Sequence, residues 1–186
     1  MSDQLIQSAP QQLFIGGLWV DAEDGGEIDI IDPATEKVIA SVASGTPGDA
    51  TRAVDAAYEA GTGWAATAPR ERAEVLRAAF ELVVANRENL AVLISREEGK
   101  TRTEGLGEVD YAAEFFRWYA EEAPRIMGHF GRGPAGNNNI IVDHSPVGVS
   151  LLITPWNFPA AMATRCLLYT SPSPRDRTRS RMPSSA

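Results

Sequence analysis

The sequence predicts an α/β chain in which short antiparallel strands lead into a run of helices and then into the first strand of a parallel sheet. Three observations carry this. Alternation and a glycine pair mark residues 13–42. Apolar residues at helical spacing dominate residues 47–123. The nearly unbroken apolar run at 147–153 has the character of a strand covered on both faces.

Each element follows from local chemistry. Leu13-Phe14-Ile15-Gly16-Gly17-Leu18-Trp19-Val20 sets a turn-forming glycine pair between apolar stretches and reads as a hairpin. Residues 27–31 alternate, Asp32-Pro33-Ala34-Thr35 is turn chemistry, and 37–42 return as a strand. Together these predict one small antiparallel lead-in sheet. Residues 1–12 are polar and are expected to be disordered.

Thr46-Pro47-Gly48-Asp49 opens a helix: Thr46 can cap, Pro47 suits the first helical position, and Asp49 favours the positive helix end. Val54, Ala57 and Tyr58 form the apolar stripe expected to face its core. A second helix starts near Pro69, with Val75, Ala79, Leu82 and Val83 on one face, and breaks near Asn86. A third, carrying Leu90, Leu93 and Ile94, stops at Gly99-Lys100. A fourth, long helix is marked by Val109, Ala112, Ala113, Phe116, Tyr119, Ala120 and Ala123, with Pro124 near its end or kinking it. Residues 128–139, rich in Gly and Asn, read as loop. The strands 140–142 and 147–153, joined by Asp143-His144-Ser145-Pro146, are then expected to pair as a hairpin near 138–150.

Composition narrows the function classes. With 186 residues, 44% hydrophobic and 23% charged, the chain can build a sizeable core. A net charge of −8 argues against nucleic acid or an anionic membrane surface as a standing partner. No apolar run approaches the roughly 20 residues that span a bilayer, and no secretion-type leader is visible at the start. One cysteine permits no intrachain disulfide, and His129 and His144 lack partners at ligand spacing, so no metal site is expected. A soluble cytoplasmic protein fits best.

The chain changes character at Cys166. From there to Ala186 four arginines face one aspartate, among three prolines and five serines without periodicity. A basic disordered tail is the ordinary reading. Residues 166–176 and 180–186, however, also correspond to in-frame translations of DNA that resembles the two ends of a common transposase sequencing adapter. Residues 166–186 are therefore expected to be an artefactual tail, outside the fold.

Chemistry concentrates where the apolar strand ends, at Ile153-Thr154-Pro155-Trp156-Asn157-Phe158-Pro159. In open α/β sheets ligands bind beyond the carboxyl ends of strands. The Asn157 side-chain amide can donate to a developing oxyanion there. It can equally cap the helix that Pro159 introduces, and local pattern alone favours the cap.

This stretch resembles the signature of the aldehyde dehydrogenase superfamily. The likeness extends through Ile15-Gly16-Gly17-Leu18-Trp19, Glu98-Gly99-Lys100 and Phe116-Arg117-Trp118-Tyr119-Ala120-Glu121-Glu122, covering residues 13–165. The resemblance implies the N-terminal part of an aldehyde-dehydrogenase-like fold. It also implies a reaction in which a cysteine thiolate attacks an aldehyde, hydride passes to NAD or NADP, and glutamate-activated water releases the acid. By the same resemblance Asn157 is the side-chain half of the oxyanion hole, and Ile153, Thr154, Pro155 and Trp156 line the cofactor groove. The strand pair 140–142 and 147–149, near 138–150, then resembles the family's oligomerisation hairpin in a homo-oligomer; the alternative is an ordinary solvent-facing hairpin.

Pro155 to Thr164 followed by Arg165 is most like the succinate-semialdehyde dehydrogenases. There the arginine meets the substrate carboxylate and lies close to the cofactor, a task suited to its planar fork. The alternative is a surface helix cation. Cys166 lacks the Gly-Gln-type setting of the family's nucleophile. The nucleophile and general base are thus expected beyond these residues, and the 186-residue chain is expected to be inactive. Two other readings stay open: a broad-specificity or other semialdehyde dehydrogenase, and a non-catalytic helical assembly module.

Overall fold

A computed structural model describes residues 2–169. Strands β1 (Leu13–Ile15) and β2 (Leu18–Val20) form a hairpin whose turn holds Gly16 at φ 60° and Gly17 at φ 83°. Two successive left-handed residues suit the right-handed twist of a two-residue hairpin, which is why both are glycine. β3 (Glu27–Asp32) pairs antiparallel with β4 (Lys37–Ala43), with an irregularity between Ile30 and Ile31. The lead-in strands thus form two separate two-stranded ladders, not the single sheet predicted.

The start of the chain also departs from expectation. Residues Ser2–Ser8 form helix α1, whose Ile6 is buried and whose Gln7 side chain donates to the Ile39 carbonyl at 3.2 Å. A polar segment can order when a single apolar residue finds a niche and the polar ones find backbone partners. The expectation of disorder over residues 1–12 is corrected for this helix.

The helical block follows the caps. α2 (Pro47–Ala66) opens with a capping box: Asp49 N–H donates to the Thr46 hydroxyl at 3.1 Å, and Thr46 N–H to the Asp49 carboxylate at 2.8 Å. The stripe predicted to be covered is not: Val54 and Tyr58 are 53% and 76% exposed, since Ala53 and Ala56 face inward instead. α3 (Pro69–Ala85) and α4 (Arg87–Glu98) join at Asn86, and α4 ends on Gly99 at φ 86°. α5 (Arg102–Glu122) starts with a second capping box, Thr101 with Glu104, and passes into a 3-10 turn, Ala123–Arg125, at Pro124.

The core lies where α3, α4 and α5 pack. Ala91, Ile94 and Val109 are its buried centre, with Val83, Leu90, Leu106 and Ala160 against them. Gly105 lets α4 and α5 approach closely, for a Cβ there would sit 2.9 Å from the Ala91 carbonyl oxygen. Asp32, at the end of β3, accepts from Ala34 N–H at 2.8 Å and from Arg96 of α4 at 2.7 Å, tying the β3–β4 turn to the helices.

The second hairpin is paired differently from the prediction. β5 (His129–Arg132) pairs with β6 (Asn139–Val142), in register from His129↔Val142 to Arg132↔Asn139. The Gly- and Asn-rich segment read as loop supplies both the strand β5 and its turn, where Gly136 takes φ 71°. Residues 147–153, expected as the partner of 140–142 and as a buried strand, form no ladder among the described residues. Leu151 and Ile153 are 85% and 84% exposed. A strand needs a neighbour for its backbone groups, and among the described residues none lies beside this one.

The last element is α6 (Ala161–Tyr169). Its final turn contains Cys166 to Tyr169, which sequence patterning had placed in the tail; the remainder of that tail, 170–186, lies outside the described residues.

Candidate active site

The turn between the extended run and α6 is held by one charge pair between α5 and the loop that follows α4. Glu108 stands on the apolar face of α5, beside Gly105, Val109 and Ala112, and its side chain is 1% exposed. A carboxylate tolerates such a place only when every lone pair is answered. One oxygen, Oε1, accepts from the Ala160 and Ala161 N–H groups at 2.8 and 3.2 Å. The other, Oε2, accepts from Lys100 Nζ at 2.6 Å.

Lys100 is placed by Gly99, whose left-handed conformation ends α4 and turns the chain back toward α5. Its ammonium also lies 3.2 Å from Glu98 Oε2, donates to the Asn157 main-chain carbonyl at 2.6 Å, and sits 3.9 Å above the centre of the Phe158 ring. Burial opposes the charge, but the Glu108 and Glu98 carboxylates outweigh it and raise the lysine above its ordinary value. Lys100 therefore stays a cation and ties α4, α5 and the turn together.

These contacts bear on Asn157. The N–H groups at the start of α6 are met by Glu108, and Met162 N–H by the Phe158 carbonyl at 3.0 Å. Among the described residues no hydrogen bond joins the helix start to the Asn157 side chain, which is exposed at the turn while its main chain is anchored by Lys100. Ile153 and Trp156, at 84% and 81% exposed, and the exposed Pro155 stand open beside it, with Thr154 half-buried. Trp156 and Pro159 also border a shallow, mostly apolar groove shared with Pro33, Leu90, Leu93 and Ile94. Residues 153–157 thus come together as one exposed edge. Arg165 is exposed on α6, and no hydrogen bond or ion pair joins it to that edge among the described residues.

Lys100 and Glu108 were not singled out by sequence reasoning as site residues. The legible signal was Glu108 itself, an acid inside the apolar stripe of a helix. Among the described residues no cluster of His, Cys, Asp or Glu is arranged to hold a metal ion, and no helix is long and apolar enough to cross a membrane.

Residues 19–169 match the Aldehyde dehydrogenase family. The chain belongs to that family. Its members form an oxidoreductase family that uses NAD(P)+ and acts on small aldehydes. The chain is 55% identical over 128 residues to a succinate-semialdehyde dehydrogenase of Paenarthrobacter nicotinovorans, covering 69% of this chain and 28% of that protein. It is 44% identical over 155 residues to a glutarate-semialdehyde dehydrogenase of Pseudomonas putida, covering 83% and 32%. The fold is similar to that of betaine aldehyde dehydrogenase from Staphylococcus aureus in complex with NAD+, with a TM-score of 0.85 at 31% identity, covering 90% of this chain and 34% of that one. The chain of this aldehyde dehydrogenase family member thus spans about a third of the length of its relatives.

Proposed function

We propose that the complete protein to which this segment belongs oxidises an aldehyde bearing a carboxylate, succinic semialdehyde foremost, to the corresponding acid with NAD or NADP. The observation that carries this reading is the independence of Asn157. Its helix is capped by Glu108, so its amide remains available to donate to an oxygen that gains negative charge when a thiolate adds to the aldehyde. The nicotinamide, when bound, accepts the hydride. Ile153, Thr154, Pro155 and Trp156 fit one wall of its groove, because the extended run leaves apolar side chains and main chain uncovered next to Asn157. Arg165 is the group that would pair with the substrate carboxylate. The thiolate and the general base are supplied from elsewhere in the complete protein, not by Cys166, which lies within α6. The hairpin β5–β6, with Phe130 and Ile141 exposed, serves assembly into a homo-oligomer.

The test is Asn157→Ala in the complete protein. Removing one oxyanion donor is expected to lower kcat by about 10²–10³-fold while nucleotide binding persists. Unchanged turnover by that variant would remove the basis of the reading.

A further inference from the structure

The geometry points to Lys100 and Glu108 as positioning residues that hold the Asn157 turn in its working shape, a role that rests on the function proposed above. Two side chains grip that turn from both ends. Lys100 Nζ fixes its start through the Asn157 carbonyl, and Glu108 Oε1 fixes its finish through the Ala160 and Ala161 amides. The two are bonded to each other at 2.6 Å, so a displacement of either moves both ends. Between these ends, the Phe158 ring packs against the same ammonium. Among the described residues the extended run before the turn joins no ladder, and the clamp is what anchors the Asn157 main chain there. An oxyanion donor misplaced by even about 1 Å costs on the order of a hundredfold in rate. Neither side chain needs to touch substrate; each acts through Asn157.

The experiment is a double-mutant cycle in the complete protein, with kcat and KM measured on succinic semialdehyde for Lys100→Met, Asn157→Ala and the pair. Lys100→Met is expected to lower kcat by roughly ten- to a hundredfold with little change in the KM for nucleotide. In the Asn157→Ala background the same substitution is expected to cost no more than about twofold, because the residue through which it acts is already gone. Lys100→Arg, which can still reach Glu108 and the carbonyl, is expected to recover most of the lost kcat. Glu108→Gln, which keeps an acceptor for the two amides, runs the same cycle if Lys100→Met does not yield folded protein. An equal loss in both backgrounds overturns the clamp while leaving Asn157 its role. A Lys100→Met enzyme of undiminished kcat does the same. An unimpaired Asn157→Ala enzyme overturns the function itself, and the clamp with it.

Discussion

The Glu108 carboxylate accepts a hydrogen bond from the Ala160 backbone amide at 2.8 Å, so that a residue in the second turn of α5 caps the beginning of α6. Helix starts are ordinarily satisfied by a side chain two or three residues away. Here the donor and acceptor are 52 positions apart, and the cap doubles as the partner of a buried lysine.

Replacement of Glu108 by alanine is therefore expected to destabilise the fold by about 3–5 kcal/mol, the range for breaking one side of a buried pair. It leaves Lys100 with Glu98 as its remaining carboxylate partner and two amides unanswered. Urea unfolding followed by circular dichroism measures it, and a change below about 1 kcal/mol would mean water already serves these groups. The pair also has a pH signature. Because Lys100 is raised in the folded state from its ordinary 10.5, its contribution is complete below that value and is lost as alkaline pH passes through the raised one. Stability of the parent should thus fall more steeply than that of Lys100→Met above pH 10.5.

Acid acts at the other end of the molecule. The Thr46 and Glu23 amides outweigh the burial of Asp49 and, with the Thr46 hydroxyl and Arg52, hold its carboxyl at about 2 against an ordinary 3.8. A depressed carboxylate stabilises above its unfolded value and ceases to do so as pH falls through the folded one. Loss between pH 3.8 and about 2 is expected, and Asp49→Asn should be less stable at neutral pH and shallower over that window. An acid limb identical in both proteins would assign the effect to other carboxylates.

Arg165→Ala in the complete protein separates a carboxylate-selective enzyme from a broad one. The expected result is a fall of about 10²-fold in kcat/KM for succinic semialdehyde, as for a lost charge-assisted contact of 2–3 kcal/mol. Neutral aldehydes of similar length should be affected much less. Equal losses on both would favour a general role for Arg165 and a broad-specificity dehydrogenase.

The exposed run at 147–153 predicts self-association of the 186-residue chain, because Val147, Leu151 and Ile153 lie open beside unpaired backbone. Leu151→Lys with Ile153→Lys should shift the chain toward monomer in sedimentation velocity. A parent chain that is already monomeric across a wide concentration range counts against this.

Sequence by itself determined what depends on near neighbours. Thr46-Pro47-Gly48-Asp49 and Gly99 marked helix ends because caps are local hydrogen bonds, and Gly16-Gly17 marked a hairpin because its turn needs two left-handed residues. Pro155 likewise marked the end of the apolar run, but the exposure of 153–157, where a buried strand was expected to finish, came only with the tertiary structure. Tertiary structure decided what depends on residues far along the chain. It chose β5 over 147–149 as the partner of β6, left Val54 and Tyr58 uncovered, and gave α6 a cap from Glu108. Pairing, burial and a long-range ion pair are settled by which surfaces meet in space, and spacing along the sequence does not encode that.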